Sequence, residues 1–143
     1  MKQPASTAPR AGGVLETCIN VADMRRAREF YQSLFGFEVM AGDDRFCAFR
    51  VQNDVLLLFK KNGSEEPVRL PGGLIPPHAT QGAGHFALAV ASDDLEDWRI
   101  RLREHGILIE SEMHWERGGI SLYFRDPDNN LVELATPGVW ANY

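Results

Sequence analysis

The fold is decided by residues 14–37, VLETCINVADMRRAREFYQSLFGF. The run from 14 to 21 is typical of a strand. Asp23 then has the residue type that caps a helix N-terminus, and Gly36 has the type that ends one. The apolar residues between these two recur at helical spacing, at Ala27, Phe30, Tyr31 and Leu34. The stretch therefore predicts one β-α unit.

Three short strands are predicted to complete this unit. They lie at 37–40, 45–51 and 55–60, where short apolar runs are separated by turn-forming residues. The first module, residues 14–60, is therefore predicted to have the order βαβββ.

The same pattern returns in residues 83–137. Asp93 lies 70 residues after Asp23, and Gly106 lies 70 residues after Gly36. The predicted strands of this second copy lie at 84–91, 107–110, 120–124 and 131–135. The two modules are therefore in register, which indicates an internal duplication.

Each copy supplies one helix and four strands, which cannot bury a sheet face without a partner. We therefore expect the two copies to pair. The predicted fold class is α+β, with two paired βαβββ modules forming an eight-stranded curved sheet around a cavity. The helical aromatics Phe30, Tyr31 and Trp98 are predicted to lie in the core.

Two segments lie outside the modules. Residues 1–13 lack periodicity and are predicted to be a flexible N-terminal leader. Residues 61–82 are rich in proline and glycine, so they are predicted to be a long connecting loop without a helix or a central strand. The remainder, 14–143, is predicted to be a single domain.

The composition excludes several classes of function. With 20 acidic against 15 basic residues and a net charge of −5, the chain has no run of basic residues suited to nucleic acid or anionic lipid. It has neither an apolar run long enough to span a membrane nor the apolar segment of a signal peptide. We therefore expect a cytosolic protein. Cys18 and Cys47 are expected to be free, buried thiols.

Four segments, taken in order, carry a family resemblance. Glu16 is followed seven residues later by Asp23. The other three segments are FYQSLFGF at 30–37, GHFALAV at 84–90 and FRDPDNNLVEL at 124–134. Together they resemble the vicinal oxygen chelate superfamily, the group of glyoxalases, bleomycin-resistance proteins and extradiol dioxygenases.

The resemblance implies a metal site. In this superfamily a residue on the first strand, a His that opens the second module and a Glu on the last strand hold a divalent metal, which implies Glu16, His85 and Glu133 as ligands. Two departures stand out. The first ligand is usually His and here is Glu. The additional Glu that glyoxalase I enzymes carry near the end of the fourth strand has no counterpart in 55–59.

One imidazole and two carboxylates suit Fe²⁺, Mn²⁺, Zn²⁺, Ni²⁺ or Co²⁺, and the sequence leaves the choice open. Such a metal acts as a Lewis acid, with coordination positions left for a substrate that chelates through two adjacent oxygens. The resemblance further implies a homodimer, in which Glu16 of one chain meets His85 and Glu133 of the other.

The residue pattern bears on each candidate. Glu133 shares its strand face with small or apolar neighbours, which favours a functional role over a solvent-exposed one. Tyr123 is placed like the active-site tyrosine of extradiol dioxygenases, where a phenol hydrogen-bonds a substrate oxygen or shuttles a proton. Alternatives stay open: Glu16 as a surface carboxylate, His85 as a hydrogen-bonded core histidine and Tyr123 as an ordinary strand aromatic.

These expectations lead to one principal hypothesis, a metal-dependent enzyme acting on a small oxygen-rich molecule, with Glu133 and Tyr123 as catalytic candidates. The reaction class is a glyoxalase-like lyase or isomerase, or a ring-cleaving dioxygenase. The alternative is a metal-free protein resembling bleomycin-resistance proteins that sequesters a drug or metabolite. A third hypothesis is an interaction module without small-molecule chemistry. His78 and His114 lie in predicted loops, and gating of the cavity by these loops is a further hypothesis.

Overall fold

The computed structural model describes residues 14–78 and 82–143. The predicted leader, 1–13, lies outside the described residues. The elements below are numbered in chain order within the described part.

The first module has the predicted order, with elements β1 (Glu16–Val21), α1 (Met24–Phe35), β2 (Glu38–Gly42), β3 (Phe46–Val51) and β4 (Asp54–Lys60). Both predicted helix boundaries are confirmed. The Asp23 carboxylate accepts a 3.0 Å hydrogen bond from the Arg26 backbone N–H, which caps α1. Gly36 ends the helix at a φ of 70°, in the left-handed region that a glycine adopts without strain.

The connection after β4 contains a small hairpin of two strands, β5 (Val68–Leu70) and β6 (Gly73–Ile75). Pro and Gly content excluded a central strand from this segment, and the hairpin is a separate two-stranded sheet. Its apolar side chains Leu70, Leu74 and Ile75 are exposed.

The second module contains β7 (His85–Ala89), a 3-10 turn (Ser92–Asp94), α2 (Leu95–Glu104), β8 (Ser111–His114), β9 (Ile120–Arg125) and β10 (Leu131–Ala135). The strand predicted at 107–110 is wrong, because β8 begins only at Ser111. Ile107 and Ile109 are half-buried and pack against the core, so their alternation comes from a connecting segment rather than from a strand.

Both modules arrange their strands in the same order. The first sheet runs β1-β4-β3-β2 and the second runs β7-β10-β9-β8. In each sheet the first and last strands of the module pair in parallel at one side, and the remaining pairs are antiparallel. The predicted class, α+β with two paired βαβββ modules, is confirmed. The eight strands lie in two open four-stranded sheets.

The core lies on the helix-covered faces of the two sheets. Tyr31 of α1 is fully buried and its ring lies 6.1 Å from Phe49 of the first sheet and 6.2 Å from Phe86 of the second. Phe30 and Trp98 are partly buried and pack against the same core. Because one helix contacts both sheets, burial of α1 joins the modules.

The opposite face of each sheet is its open face, and the candidate residues lie there. Cys47 faces the core and is buried, whereas Cys18 lies on the open face of the first sheet and is exposed. Both thiols are free, so the expectation of buried thiols is wrong for Cys18 alone. Among the helices of 14–78 and 82–143, none is long and apolar enough to cross a membrane.

Candidate active site

His85 and Glu133 come together on the open face of the second sheet. His85 opens β7 and pairs with Leu131, two residues before Glu133 on β10. Residues two apart on a strand share a face, so both side chains point to the same side. Nε2 of His85 lies 3.3 Å from Oε1 of Glu133. The backbone register thus places an imidazole beside a carboxylate.

The second ring nitrogen determines which tautomer His85 adopts. Nδ1 lies 3.0 Å from the carbonyl oxygen of Leu131, which can only accept, so Nδ1 carries the proton. In the neutral ring Nε2 is then left with a lone pair that faces the Glu133 carboxylate. A metal-ligating histidine is oriented by the same kind of backbone hydrogen bond.

Glu133 is almost buried, with 7% of its surface exposed. A carboxylate in this position needs hydrogen bonds or a positive charge to offset its lost hydration. Ser121, on the neighbouring strand β9, donates a 2.6 Å hydrogen bond to Oε2. Oε1 faces His85. The two oxygens of Glu133 therefore have different surroundings.

A further residue, Trp115, holds Ser121 in place. Nε1 of Trp115 donates a 2.9 Å hydrogen bond to Oγ of Ser121. No sequence pattern predicted a role for Trp115 or Ser121. The sequence did indicate the position of Ser121. Ser121 and Tyr123 are two residues apart on one strand, so their side chains lie on the same face, which is the face of Glu133. The position of Trp115 depends on the turn between β8 and β9, which strand parity does not predict.

Tyr123 lies directly opposite Glu133 in the β9–β10 register, and its ring centroid is 6.4 Å from that of His85. Burial raises the pKa of the Tyr123 phenol, and the negative charge of Glu133 raises it further. The phenol therefore stays protonated at neutral pH and can donate a hydrogen bond to an incoming oxygen atom.

Glu16 lies elsewhere, at the start of β1 on the open face of the first sheet. It borders a cavity of about 670 Å³, roofed by the hairpin β5–β6. The walls of this cavity are mainly apolar, with Phe46, Leu57 and Phe59 from the sheet. The size is that of a site for a small organic molecule.

Polar and charged residues also border the same cavity, among them Cys18, Arg45 and His78. Burial and the charge of Glu16 raise the pKa of the Cys18 thiol, so Cys18 is not an activated thiolate. The His78 ring contacts Phe59 edge to face at a centroid distance of 4.4 Å. Arg45 also borders this cavity, and its guanidinium lies 3.8 Å from the carboxylate of Asp43. The predicted position of His78 over a cavity is thus observed, whereas gating remains a prediction.

His114 does not lie in a loop. It is the last residue of β8, and its Nε2 contacts Oε2 of Glu112 at 3.2 Å. A strand position paired with β9 fixes the backbone there, so the hypothesis of a mobile loop at His114 is wrong.

The three proposed ligands do not meet within one chain. Glu16 borders the 670 Å³ cavity and a second one of about 820 Å³ between the modules, and neither cavity is bordered by His85 or Glu133. Within the described residues, no group of three or more His, Cys, Asp or Glu side chains could hold a metal ion. His85 and Glu133 therefore form a two-residue half-site, and Glu16 belongs to a separate surface.

The donor atoms of this half-site fit a divalent metal. Nε2 of His85 carries a lone pair in the neutral ring, and Oε1 of Glu133 faces it. A nitrogen and a carboxylate oxygen at 3.3 Å are close enough to bind one ion together. A half-site with two donors leaves positions for a third ligand and for a substrate.

Fold and site together define a class, the paired βαβββ proteins with a candidate site on an open sheet face. Residues 13–134 match the sequence model of the Glyoxalase/Bleomycin resistance protein/Dioxygenase superfamily. The chain belongs to this family, as the four sequence segments indicated.

Two relatives in sequence have named activities. Catechol-2,3-dioxygenase of Bacillus subtilis (strain 168) is 29% identical over 118 residues, which cover 81% of this chain but only 38% of that protein. Metallothiol transferase FosB of Staphylococcus epidermidis is 26% identical over 125 residues, 87% of this chain and 83% of FosB. The chain thus spans less than half of the dioxygenase, and most of the transferase.

Two solved structures share the fold. Lactoylglutathione lyase from Agrobacterium tumefaciens superposes with a TM-score of 0.85 at 27% identity, covering 93% of this chain and 99% of the lyase. The fosfomycin resistance protein FosX from Listeria monocytogenes, in complex with Mn(II) and sulfate, superposes with a TM-score of 0.67 at 20% identity, covering 91% of this chain and 94% of FosX. One protein with this fold has thus been solved with Mn(II) bound.

Proposed function

We propose that the protein is a metal-dependent enzyme acting on a small molecule that chelates the metal through two adjacent oxygens. The observation that carries the proposal is the half-site of His85 and Glu133. There the hydrogen bond from Nδ1 to Leu131 leaves Nε2 free beside Oε1 of Glu133. The similarity to a protein named metallothiol transferase FosB, and the Mn(II) complex of FosX, which shares the fold, support the proposal.

Each residue has a distinct role in this proposal. His85 and Glu133 hold the metal, which supplies Lewis-acid stabilisation of negative charge on a bound oxygen. Tyr123 donates a hydrogen bond from its protonated phenol to a substrate oxygen, because burial and Glu133 raise its pKa. The cavity under the β5–β6 hairpin, which Glu16 borders, receives the remainder of the substrate when a second copy of the chain brings it to the half-site. The reaction is a lyase or isomerase reaction of the glyoxalase type, or a dioxygenase reaction.

The third ligand comes from a second copy of the chain. Glu16 lies on a different open face from His85 and Glu133, so one chain does not complete the set. A two-fold homodimer brings the first module of one chain against the second module of the other and creates two equivalent sites. We further propose that this assembly is cytosolic.

Metal analysis tests the proposal. Purified protein is stripped with a chelator, reloaded with Mn²⁺ and analysed for bound metal by elemental analysis. We expect one metal per chain in the wild type, and loss of it in His85→Ala and in Glu133→Ala. The matched controls His114→Ala and Glu104→Ala remove the same groups at exposed positions outside the site and keep the metal. Wild-type protein that binds none of the five candidate metals contradicts the proposal.

One observation favours a second function, a metal-free binding protein. The cavity of about 670 Å³ under the hairpin is mainly apolar and is bordered by neither His85 nor Glu133, so a ligand can bind there without a metal. The apolar cavity under the hairpin then sequesters a ligand. This function predicts ligand binding that chelators do not change, whereas activity abolished by EDTA contradicts it.

A further inference from the structure

We propose that Ser121 is a positioning residue that, together with Trp115, holds Glu133 so that it binds the metal through one oxygen only. The inference rests on the proposed function, in which Glu133 is a metal ligand. It assigns roles to two residues that do not themselves contact the metal.

The direction of the hydrogen bonds is determined by chemistry. The indole N–H of Trp115 can only donate, so Oγ of Ser121 accepts at 2.9 Å. The hydroxyl of Ser121 has one proton, and its other partner, Oε2 of Glu133, accepts at 2.6 Å. The hydrogen-bond chain from Trp115 through Ser121 to Glu133 therefore runs in one direction.

Burial makes this arrangement firm. Ser121 is 0% exposed, so no solvent replaces either of its partners. The backbone of Trp115 is also held, because its N–H donates a 2.8 Å hydrogen bond to the Gly119 carbonyl and closes the turn between β8 and β9. A hydrogen bond to a charged acceptor is also stronger than one between neutral groups. The Oε2 atom thus has a fixed donor on the sheet side.

Glu133 is consequently asymmetric. Oε2 is held by Ser121 and Oε1 is left facing Nε2 of His85. A carboxylate that binds through both oxygens takes two coordination positions, whereas one that binds through Oε1 takes one. The position that is spared remains available to a substrate that needs two. Ser121 therefore preserves the coordination that the proposed chemistry requires.

Two variants interrupt the hydrogen-bond chain at different points. Ser121→Ala removes the donor to Oε2, and Trp115→Phe removes only the indole N–H that orients Ser121. Loss of such an outer contact typically weakens metal binding about 10- to 100-fold, which we expect for Ser121→Ala. For Trp115→Phe we expect a smaller loss in the same direction. The Mn²⁺ dissociation constant is measured from the electron paramagnetic resonance signal of free Mn²⁺.

Thr136→Val is the matched control. Thr136 is 2% exposed and its hydroxyl accepts the Ile120 N–H at 2.8 Å, so the change deletes a buried hydroxyl near β9 without touching Glu133. We expect it to lower stability while leaving the Mn²⁺ dissociation constant unchanged. A merely structural role of Ser121 would make both variants behave alike.

The visible absorption of bound Co²⁺ gives a second measurement, because its d–d bands report coordination number and geometry. We expect the bands of Ser121→Ala to differ from those of the wild type as Glu133 turns to bind through both oxygens, and those of Thr136→Val to match. If Ser121→Ala does not fold, Trp115→Phe decides the question.

The outcomes separate the two proposals. Wild type that binds Mn²⁺, with unchanged affinity and Co²⁺ bands in Ser121→Ala and Trp115→Phe, overturns the positioning role and leaves the metal site intact. Wild type that binds none of the five candidate metals overturns the proposed function, and the role of Ser121 with it.

Discussion

The hydroxyl of Tyr31 donates a 3.0 Å hydrogen bond to Oδ2 of Asp126, which joins the helix of the first module to the turn before the last strand of the second. The same carboxylate accepts from the backbone N–H groups of Asp128 and Asn130. Tyr31 is fully buried at this contact. The two modules are therefore linked by a buried polar contact, and the neighbouring Asp128 carboxylate accepts further hydrogen bonds from Ala22 and Arg26 of the first module.

Tyr31→Phe is expected to destabilise the fold by about 1.5–3 kcal/mol, the range for loss of a hydrogen bond to a charged group. Tyr143→Phe is the control, because it deletes a phenol hydroxyl that donates to the Ala135 carbonyl at 3.0 Å and lies near the surface. For Tyr143→Phe we expect a loss of about 1 kcal/mol or less in the free energy of unfolding. Urea unfolding of both variants gives the comparison, and equal losses would count against a special role for Tyr31.

Alkaline pH is expected to destabilise the wild type through the same residue. Burial raises the pKa of Tyr31 well above its ordinary value of 10.0, and the charge and hydrogen bond of Asp126 raise it further. The folded protein thus retains this proton when the unfolded chain has lost it. The resulting stability is fully present below the unfolded pKa and is lost as the pH rises above 10.0.

The measurement compares urea unfolding at pH about 8 and about 10.5 in wild type and Tyr31→Phe. The wild type should lose more free energy of unfolding over this interval than the variant, which lacks the titrating group. Identical pH profiles would show that Tyr31 does not contribute.

Gly119→Ala is expected to disturb the turn that carries Trp115. A Cβ at this position would lie against the backbone of Val139 and 2.5 Å from the carbonyl carbon of Gly138, and neither neighbour is a flexible side chain. We expect a loss of about 1–3 kcal/mol, as for other overpacked sites. Gly72→Ala is the control, since its Cβ would meet nothing within 4 Å. Thermal unfolding that leaves Gly119→Ala like wild type would contradict the packing described here.

Mixing of two inactive variants tests whether the site is shared. Glu16→Ala lacks one proposed ligand and Glu133→Ala lacks another, so neither homodimer has a complete site. In a mixed dimer one of the two sites is complete. Random pairing should therefore restore about one quarter of the wild-type metal sites after the variants are unfolded and refolded together. Mixtures that bind no more metal than the separate variants would contradict a site shared between chains.

Local pattern was enough to predict the modules. Asp23 and Gly36 act within a few residues of the helix ends they define, and their residue types predicted both boundaries. The alternation of β10 predicted the face on which Glu133 lies, because side chains alternate along any strand. The strand predicted at 107–110 was wrong, because Ile107 and Ile109 alternate with exposed residues as they pack against the core and not because they belong to a strand.

The candidate site needed more than pattern. The family resemblance implied Glu16, His85 and Glu133 as ligands of one metal, and the parallel register of β7 with β10 brings only His85 and Glu133 together, to 3.3 Å. Trp115 reaches Ser121 only because the turn after β8 folds back over β9. Contacts of this kind join residues that are far apart in the chain or depend on one particular turn, so no local periodicity encodes them.

The amino-acid sequence by itself thus determined the duplicated βαβββ order, the faces of the strands and the residue types available for a metal, because these follow from short-range periodicity and side-chain chemistry. The tertiary structure decided how those residues are grouped. Strand order and the packing of α1 against both sheets place His85 beside Glu133 and leave Glu16 on the other open face. That grouping depends on long-range pairing of strands, and it divides the candidate metal ligands into two separate surfaces of one chain.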